Sequence, residues 1–362
     1  MKVGIFLFQN MRYAPFLLMY RNLFDSYPEV SYDIIYFNRD KSLKEIEDSH
    51  HYAIPWKGKG TLSASFSEKI ISFFSYKSKA KKILKEKKYD YLIILTTFPA
   101  VLLSGYLSRR YKNKYIVDIR DYTYDNFFVY RFFERKAFNN AGLRIISSPG
   151  FTNFLPSNNY LLCHNMNDNA SDSYLNYSFS PAHNRRIVIS YIGTISYKQQ
   201  CKELIHLVNN DTRFEFHFYG NEANGSEITN YVQSLNSDRI KFMGEFVPSD
   251  KPQIYAKSDL VFNCYGNDSA LVKYAISNKF YDSALYKKPL LVSPGTSLAS
   301  ISRNFAYPLD LGKINDLNPL YEWYHSIDSD LYNEFSNSVI QHSIQDNNAL
   351  KKSILTFLSL SS

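Results

Sequence analysis

Cysteine is scarce in this chain of 362 residues: Cys163, Cys201 and Cys264 stand far apart, and no C-x-x-C pair is present. That spacing excludes a zinc ribbon or a dithiol redox motif and leaves three reduced thiols. Eight histidines show no H-x-x-x-H spacing, which removes the commonest helical metal motif. No stretch reaches the ~18 uninterrupted apolar residues of a membrane-spanning helix. The opening "MKVGIFLFQNMRY" carries one lysine and a short apolar run, then turns polar without a small-residue cleavage site, so it reads as a first strand and not as a leader. A cytoplasmic protein, at most peripheral to a membrane, is expected. Long polar low-complexity runs are also missing, while aromatic residues reach 17%, which excludes a disordered chain.

Charge is present but unevenly placed. The formal net charge is +8, and residues 57–88 hold ten lysines against Glu68 and Glu86, so the rest of the chain is neutral. Phe66, Ile70, Ile71, Phe73 and Phe74 interleave with those lysines at spacings of three and four, which predicts one apolar side of a helix. The segment suits an anionic membrane surface. It equally describes a solvated helix whose apolar side is core. A nucleic-acid partner is excluded on composition, because the segment is lysine-rich, arginine-poor and fits no nucleic-acid module.

Strand-like and helix-like segments alternate from the first residue. "KVGIFLF" (2–8), "YDIIYFN" (32–38), "YDYLIIL" (89–95), "KYIVDIR" (114–120) and "LRIISS" (143–148) alternate with helical patterns, the βαβ rhythm of a parallel sheet. The polar interval around 167–186 predicts a linker, after which the rhythm restarts with "RIVISYIG", "FEFHFYG", "RIKFMGEF", "DLVFNCY" and "LLVS". The expected division is an N-terminal domain over 1–168, a linker over 169–185, a C-terminal domain over 186–345 and an amphipathic helix over 346–362. At this length two cores are expected rather than one.

The order "YIGTISYKQQCKELI", "FEFHFYG", "RIKFMGEF", "SDLVFNCY", "SNKFYDSALYKKPLLVS" resembles the C-terminal domain of GT-B glycosyltransferases. It is most similar to the family-four-like enzymes of bacterial capsule and exopolysaccharide assembly. "VDIRDYTYD", "FERKAFNNAGLRIISSPG" and "YLLCHNMND" extend the likeness loosely into the first half. The resemblance implies two Rossmann-like doubly wound domains facing a central cleft, with the C-terminal helix packing back across the junction. It also implies transfer of a sugar from a nucleotide diphosphate-sugar, UDP-sugar favoured, to a lipid-linked oligosaccharide, with no further cofactor and no essential metal.

Site residues follow from that resemblance. Asp282 takes the position of an acid that accepts ribose hydroxyls, and Lys279, near a helix start with Asn278 and Phe280, counters the diphosphate. Gly193, Thr194 and Lys198 stand where relatives carry basic phosphate contacts, and Gly244, Glu245 and Phe246 offer main chain to a uracil edge. Tyr274 occupies the place of a further family acid, which weakens the case for retention of configuration. A helix cap at Asn278 and Asp282, with Phe280 and Leu285 facing the core, is the competing assignment.

In the first domain Arg120 and Asp121 end a parallel strand, where open α/β sheets bind ligands. A catalytic role for Asp121, with Arg120 pairing Glu134 or a phosphate, competes with a salt bridge or helix cap. Asn10 and Arg12 line the acceptor-side loop after the first strand. "DSD" at 328–330 reads as a cap, and His164 as structural. The enzyme rival is a nucleotide-sugar 2-epimerase of the same build; the non-enzyme rival is a degenerate transferase serving as a partner subunit.

Overall fold

The computed structural model describes residues 1–40, 49–57, 65–120, 128–166, 173–223 and 225–360. The chain divides into a unit of residues 1–164 with 346–362, and a unit of residues 165–345. No helix among the described residues is long and apolar enough to cross a membrane.

The first unit holds seven parallel strands: β1 (Lys2–Phe6), β2 (Ser31–Asn38), β3 (His51–Pro55), β4 (Tyr91–Leu95), β5 (Tyr115–Ile119), β6 (Leu143–Ile146) and β7 (Leu161–Leu162). Their order is β3-β2-β1-β4-β5-β6-β7. Near-continuous apolar runs such as "YLIIL" suit these strands because helices cover both faces. The sequence pattern reveals five of the seven. β3 ends in proline and lacks alternation, and β7 is two residues long, so neither carries a periodic signal.

On one face, Val3, Ile5 and Leu7 pack with Leu17, Tyr20 and Phe24 of α1 (Leu17–Asp25). The other face carries α2 (Phe66–Lys87), α3 (Thr97–Arg110) and α4 (Phe128–Asn139), with α3 packed against both neighbours. Ser65 and Glu68 form a capping box at the start of α2. Of the two readings of α2, the one that puts its Phe and Ile side in the core does not hold for most of those residues. Ser72, Tyr76, Ala80 and Leu84, at four-residue spacing, face the sheet, whereas Ile70, Ile71 and Phe74 are exposed. Phe73 joins a ring cluster with Phe8, Trp56 and Phe98, and the side chain of Phe66 lies outside the described residues.

The second unit repeats the architecture with β8 (Ile187–Ile192), β9 (Phe214–Tyr219), β10 (Ile240–Gly244), β11 (Leu260–Asn263), β12 (Leu290–Val292) and β13 (Ala306–Pro308). The order is β10-β9-β8-β11-β12-β13, again parallel throughout. Its helices are α5 (Lys198–Asn209), α6 (Glu227–Leu235), α7 (Lys251–Ala256), α8 (Ala270–Tyr274), α9 (Asn278–Tyr286), α10 (Ser297–Ser302) and α11 (Asn318–Ser326). Two doubly wound α/β units of Rossmann type are thus present, as the alternating pattern predicts.

Two boundaries fall elsewhere than the sequence suggests. In the interval read as a linker, Tyr174, Phe179 and Ala182 are buried, and the Phe179 and Ala182 amides donate to Asn333 and to the Tyr324 hydroxyl, so the described part of that stretch is built into the second unit. The last helix, α12 (Ser329–Phe357), starts well before residue 346. The Asp328 carboxylate accepts from the amides of Asp330 and Leu331 at its start, the cap read from "DSD". Its final turns bury Leu350, Ile354, Leu355 and Leu358 in the core of the first unit.

That docking gives a direct test. Ile354→Ala removes a fully buried side chain and should cost about 2–4 kcal/mol in the unfolding of the first unit. Leu331→Ala, at an exposed position of the same helix, should change urea unfolding by less than about 0.5 kcal/mol. Equal effects would mean the tail contributes no core.

Candidate functional site

Three adjacent strands of the second unit end in the same way. "YIG", "FYG" and "FMG" close β8, β9 and β10, and Gly193, Gly220 and Gly244 all adopt positive φ. The turns are stitched laterally, with Gly193 N–H donating to Tyr219 O at 2.8 Å and Gly220 N–H to Gly244 O at 2.7 Å. A Cβ on Gly220 would run into the Gly193 carbonyl, 2.8 Å from its carbon atom. A Cβ on Gly193 would meet Lys279 Nζ at 3.6 Å. Only glycine combines that backbone conformation with so close an approach. Backbone and one ammonium therefore line a space free of side chains at the carboxyl ends of the strands, the usual ligand position in open α/β sheets.

Lys279 reaches this space from the first turn of α9. Its Nζ donates to the Tyr265 hydroxyl and lies 5.3 Å from the centre of the Tyr191 ring. Tyr265 is stacked on Tyr197 at 4.0 Å. Burial among these rings pulls the Lys279 ammonium down to about 8, against the opposing pull of Asp282. The cap of α9 is Ser277, not Asn278: its hydroxyl accepts from Lys279 N–H and donates to Asn263 Oδ1 at 3.0 Å. Asn278 is exposed beside it.

One turn further along α9, Asp282 is held by one oxygen. Lys251 Nζ pairs with Oδ2 at 2.7 Å and the Tyr255 hydroxyl donates to the same atom at 3.3 Å. Among the described residues Oδ1 makes no hydrogen bond, so the carboxylate is fixed in orientation while an acceptor stays open. Phe280 points the other way, buried with Ile276, Tyr281 and Leu290, and Phe246 packs against that same core. Phe280 thus supports α9 from beneath. Glu245 accepts from the Asn221 amide at the edge of the glycine turns.

Other expected contacts fall differently. Lys198 is ion-paired with Glu222 at 3.6 Å and Glu227 at 3.1 Å at the start of α6, where Glu222 also accepts from the amides of Ile228 and Thr229. The cation beside the glycine turns is Lys279 instead. Thr194 is exposed, and its carbonyl accepts from the Tyr191 hydroxyl at 3.0 Å, which shapes the turn. Tyr274 ends α8 with Lys273 Nζ 5.5 Å from its ring. Tyr191, Gly220, Lys251, Tyr255 and Tyr265 are missed by the sequence reading; the repeated aromatic-x-Gly ending of three successive strands is a readable signal for Gly220, whereas nothing local marks Lys251.

In the first unit, Arg120 is a structural anchor. Its Nε and Nη2 bind the fully buried Asp118 at 2.6 and 2.8 Å, Nη2 also contacts Cys163 Sγ at 3.0 Å, and the Tyr20 hydroxyl donates to Asp118 at 2.8 Å. Asp121 lies outside the described residues. Asn10 is fully buried, accepting from the amides of Arg39 and Asp40 and donating to Asn38 Oδ1, so it ties down the end of β2 rather than facing solvent. Arg12 is exposed on the neighbouring turn.

No family model and no curated protein matches this chain. Solved structures match over nearly its whole length. Anabaena HepE in complex with UDP is similar at 14% identity and a TM-score of 0.68, covering 98% of this chain and 100% of that one. The lipopolysaccharide outer core galactosyltransferase WaaB, apo form, is similar at 12% identity and a TM-score of 0.65, over 97% and 99%. The UDP-GlcNAc 2-epimerase from Neisseria meningitidis bound to UDP-GlcNAc is similar at 13% identity and a TM-score of 0.58, over 99% of both chains. The fold of this chain is the GT-B fold.

The depressed Lys279 ammonium has a stability consequence. A lysine titrating near 8 in the fold and at ~10.4 when unfolded destabilises the native state most below pH 8, and stability recovers as pH rises between the two values. Lys279→Met should therefore be the more stable protein at pH 7, by an amount on the order of 3 kcal/mol before lost contacts are counted. In parallel urea titrations the gap should shrink steadily from pH 8 to pH 10. A gap independent of pH would show that the ammonium is not strained.

Proposed function

We propose that this protein is a glycosyltransferase. It moves a sugar from a nucleotide diphosphate-sugar, UDP-sugar favoured, to a hydroxyl of a lipid-linked oligosaccharide in bacterial surface polysaccharide synthesis. The observation that carries the reading is the Lys279 ammonium set against the glycine turns of β8 and β9. A departing diphosphate needs cationic and amide donors placed before the bond breaks, in a site with little water. Lys279 supplies the charge, and the side-chain-free turns let phosphate oxygens approach main chain. Asp282, with Oδ2 fixed by Lys251 and Tyr255, offers Oδ1 to the ribose hydroxyls. Main chain at Gly244–Phe246 borders the base. UDP complexes of similarly folded chains support the choice of nucleotide.

The acceptor side belongs to the first unit, where Asp121 orients or deprotonates the attacking hydroxyl and Arg12 lies at the rim. Retention of configuration and independence from metal follow the family resemblance. The reaction takes place at the cytoplasmic face of the membrane, and the lysines of α2 hold the enzyme to anionic lipid. A 2-epimerase shares the fold, and product analysis separates the two: a transferase releases nucleoside diphosphate and an epimerase returns an isomerised donor.

Two measurements test the proposal. Asp282→Ala should weaken binding of a nucleoside diphosphate by about 1.5–3 kcal/mol, read by calorimetry on folded protein, while Lys279→Ala should weaken the diphosphate far more than the nucleoside. An unchanged affinity in Asp282→Ala removes that carboxylate from the site. Separately, converting Lys77, Lys81, Lys82 and Lys85 to glutamate should abolish sedimentation with anionic vesicles and slow transfer to a lipid-linked acceptor, with transfer to a short soluble acceptor retained. Loss of both transfers would indicate damage to the fold.

A further inference from the structure

The first unit exposes apolar side chains in one region. Among the described residues fifteen large hydrophobic side chains are exposed, and seven of them sit on α2 and α4. Phe128, Val129, Phe132 and Phe133 occupy the first turns of α4, with Phe128 84% accessible. Ile70, Ile71 and Phe74 occupy the first half of α2, with Phe74 66% accessible. The two helices start on the same edge of the sheet, because each runs back from the carboxyl ends of the strands.

Between them stands the start of α3. Phe98 packs on Phe73 of α2 at 4.7 Å and on Tyr130 of α4 at 6.2 Å between ring centres, and the Tyr130 hydroxyl donates to Thr97 at 2.8 Å. The two apolar groups therefore sit on helices that meet at one aromatic junction. Cations accompany both. On α4, Arg131 and Arg135 are exposed while its one acid, Glu134, is buried. On α2, seven lysines follow Glu68, with Glu86 the other acid.

We propose that α4 is a second membrane element, whose aromatic side chains insert into the interfacial zone of an anionic bilayer while the α2 lysines hold its surface charge. This rests on the reading of α2 as the docking surface and adds an apolar insertion that lysines alone do not supply. Aromatic and aliphatic side chains beside lysine and arginine match the lipid interface, where apolar burial and attraction to anionic headgroups act together. A second copy of the chain fits less well, since a two-fold contact would place like charges against each other.

Flotation of the full-length protein with vesicles of phosphatidylcholine and phosphatidylglycerol tests this. Phe128→Ser with Phe132→Ser, both at exposed positions, should lower partitioning at least about tenfold and leave nucleoside diphosphate affinity unchanged. The residual binding should become strongly salt-dependent. In Phe132→Trp, bromine-labelled acyl chains should quench the introduced indole more than they quench Trp56 and Trp323. Unaltered partitioning of the double serine variant, or no quenching of the introduced indole in Phe132→Trp, overturns insertion by α4 even if the lysine variants lose binding. A dimer that the serine changes convert to monomer, without vesicle binding by the parent, also overturns it and assigns the patch to a second copy. Vesicle binding lost with α4 in a chain that binds no nucleotide would uphold this proposal and sink the transferase reading instead.

Discussion

Gly220 sits so near the carbonyl of Gly193 that no side chain fits between them, and the second unit is arranged around that closeness. Parallel strands splay their side chains to both faces, so the edge beyond their carboxyl ends is normally crowded by whatever follows each strand. Here three consecutive strands turn at glycine, and the turns bind each other through main-chain hydrogen bonds. The result is an edge made of amides and carbonyls. A ligand that carries phosphate needs such an edge, because dense negative charge is best met by fixed donors that do not have to reorganise. Lys279 Nζ stands where a Cβ on Gly193 would point, among tyrosine rings, and burial there raises the cost of its charge. Burial of this ammonium costs local stability, the kind of compromise often found at functional sites.

The alternating rhythm of strands and helices made the two-unit architecture legible, with the ends of β1, β4, β8 and β9 placed to within two residues. Periodicity failed where an element was too short to have a period, as in β7 and β13, or where proline closed it, as in β3. It left the Phe and Ile side of α2 open between core and a lipid-facing surface, and the sheet takes up Ser72, Tyr76, Ala80 and Leu84 instead. Small residues and one long phenol allow closer approach, and the Tyr76 hydroxyl reaches the carbonyl of Leu7. The pattern alone does not decide between two stripes of comparable hydrophobicity on one helix.

Polar residues at strand ends were harder to read, for a different reason. A buried strand terminus must satisfy its own backbone and hold the next turn, so charged and amide side chains there have structural work independent of any ligand. Asn10 spends both ends of its amide on the segment after β2. Arg120 binds Asp118 and Cys163 and lies over the Phe16 ring. Lys279 and Asp282 look no different in sequence. What separates them is geometry: Lys279 Nζ stands beside Gly193, and Asp282 has hydrogen bonds on one oxygen only among the described residues. Lys251 shows the limit of local reading most plainly, since its importance arises from a residue 31 positions away.

The charge of the chain divides along the same lines. The excess lies in one segment of the first unit, and in the second unit several cations are ion-paired, as Arg185 with Asp259, Lys198 with Glu222 and Lys241 with Glu215. Paired cations contribute little long-range field, so on the proposed reading the donor would be held chiefly by short contacts. The unpaired excess acts at longer range and is suited to a surface rather than a molecule. For a transferase with one soluble and one lipid-bound substrate that separation has a physical rationale. Confinement to a plane raises the effective concentration of the lipid-bound partner without any new contact in the site, whereas the soluble donor gains nothing from it and must be recognised atom by atom.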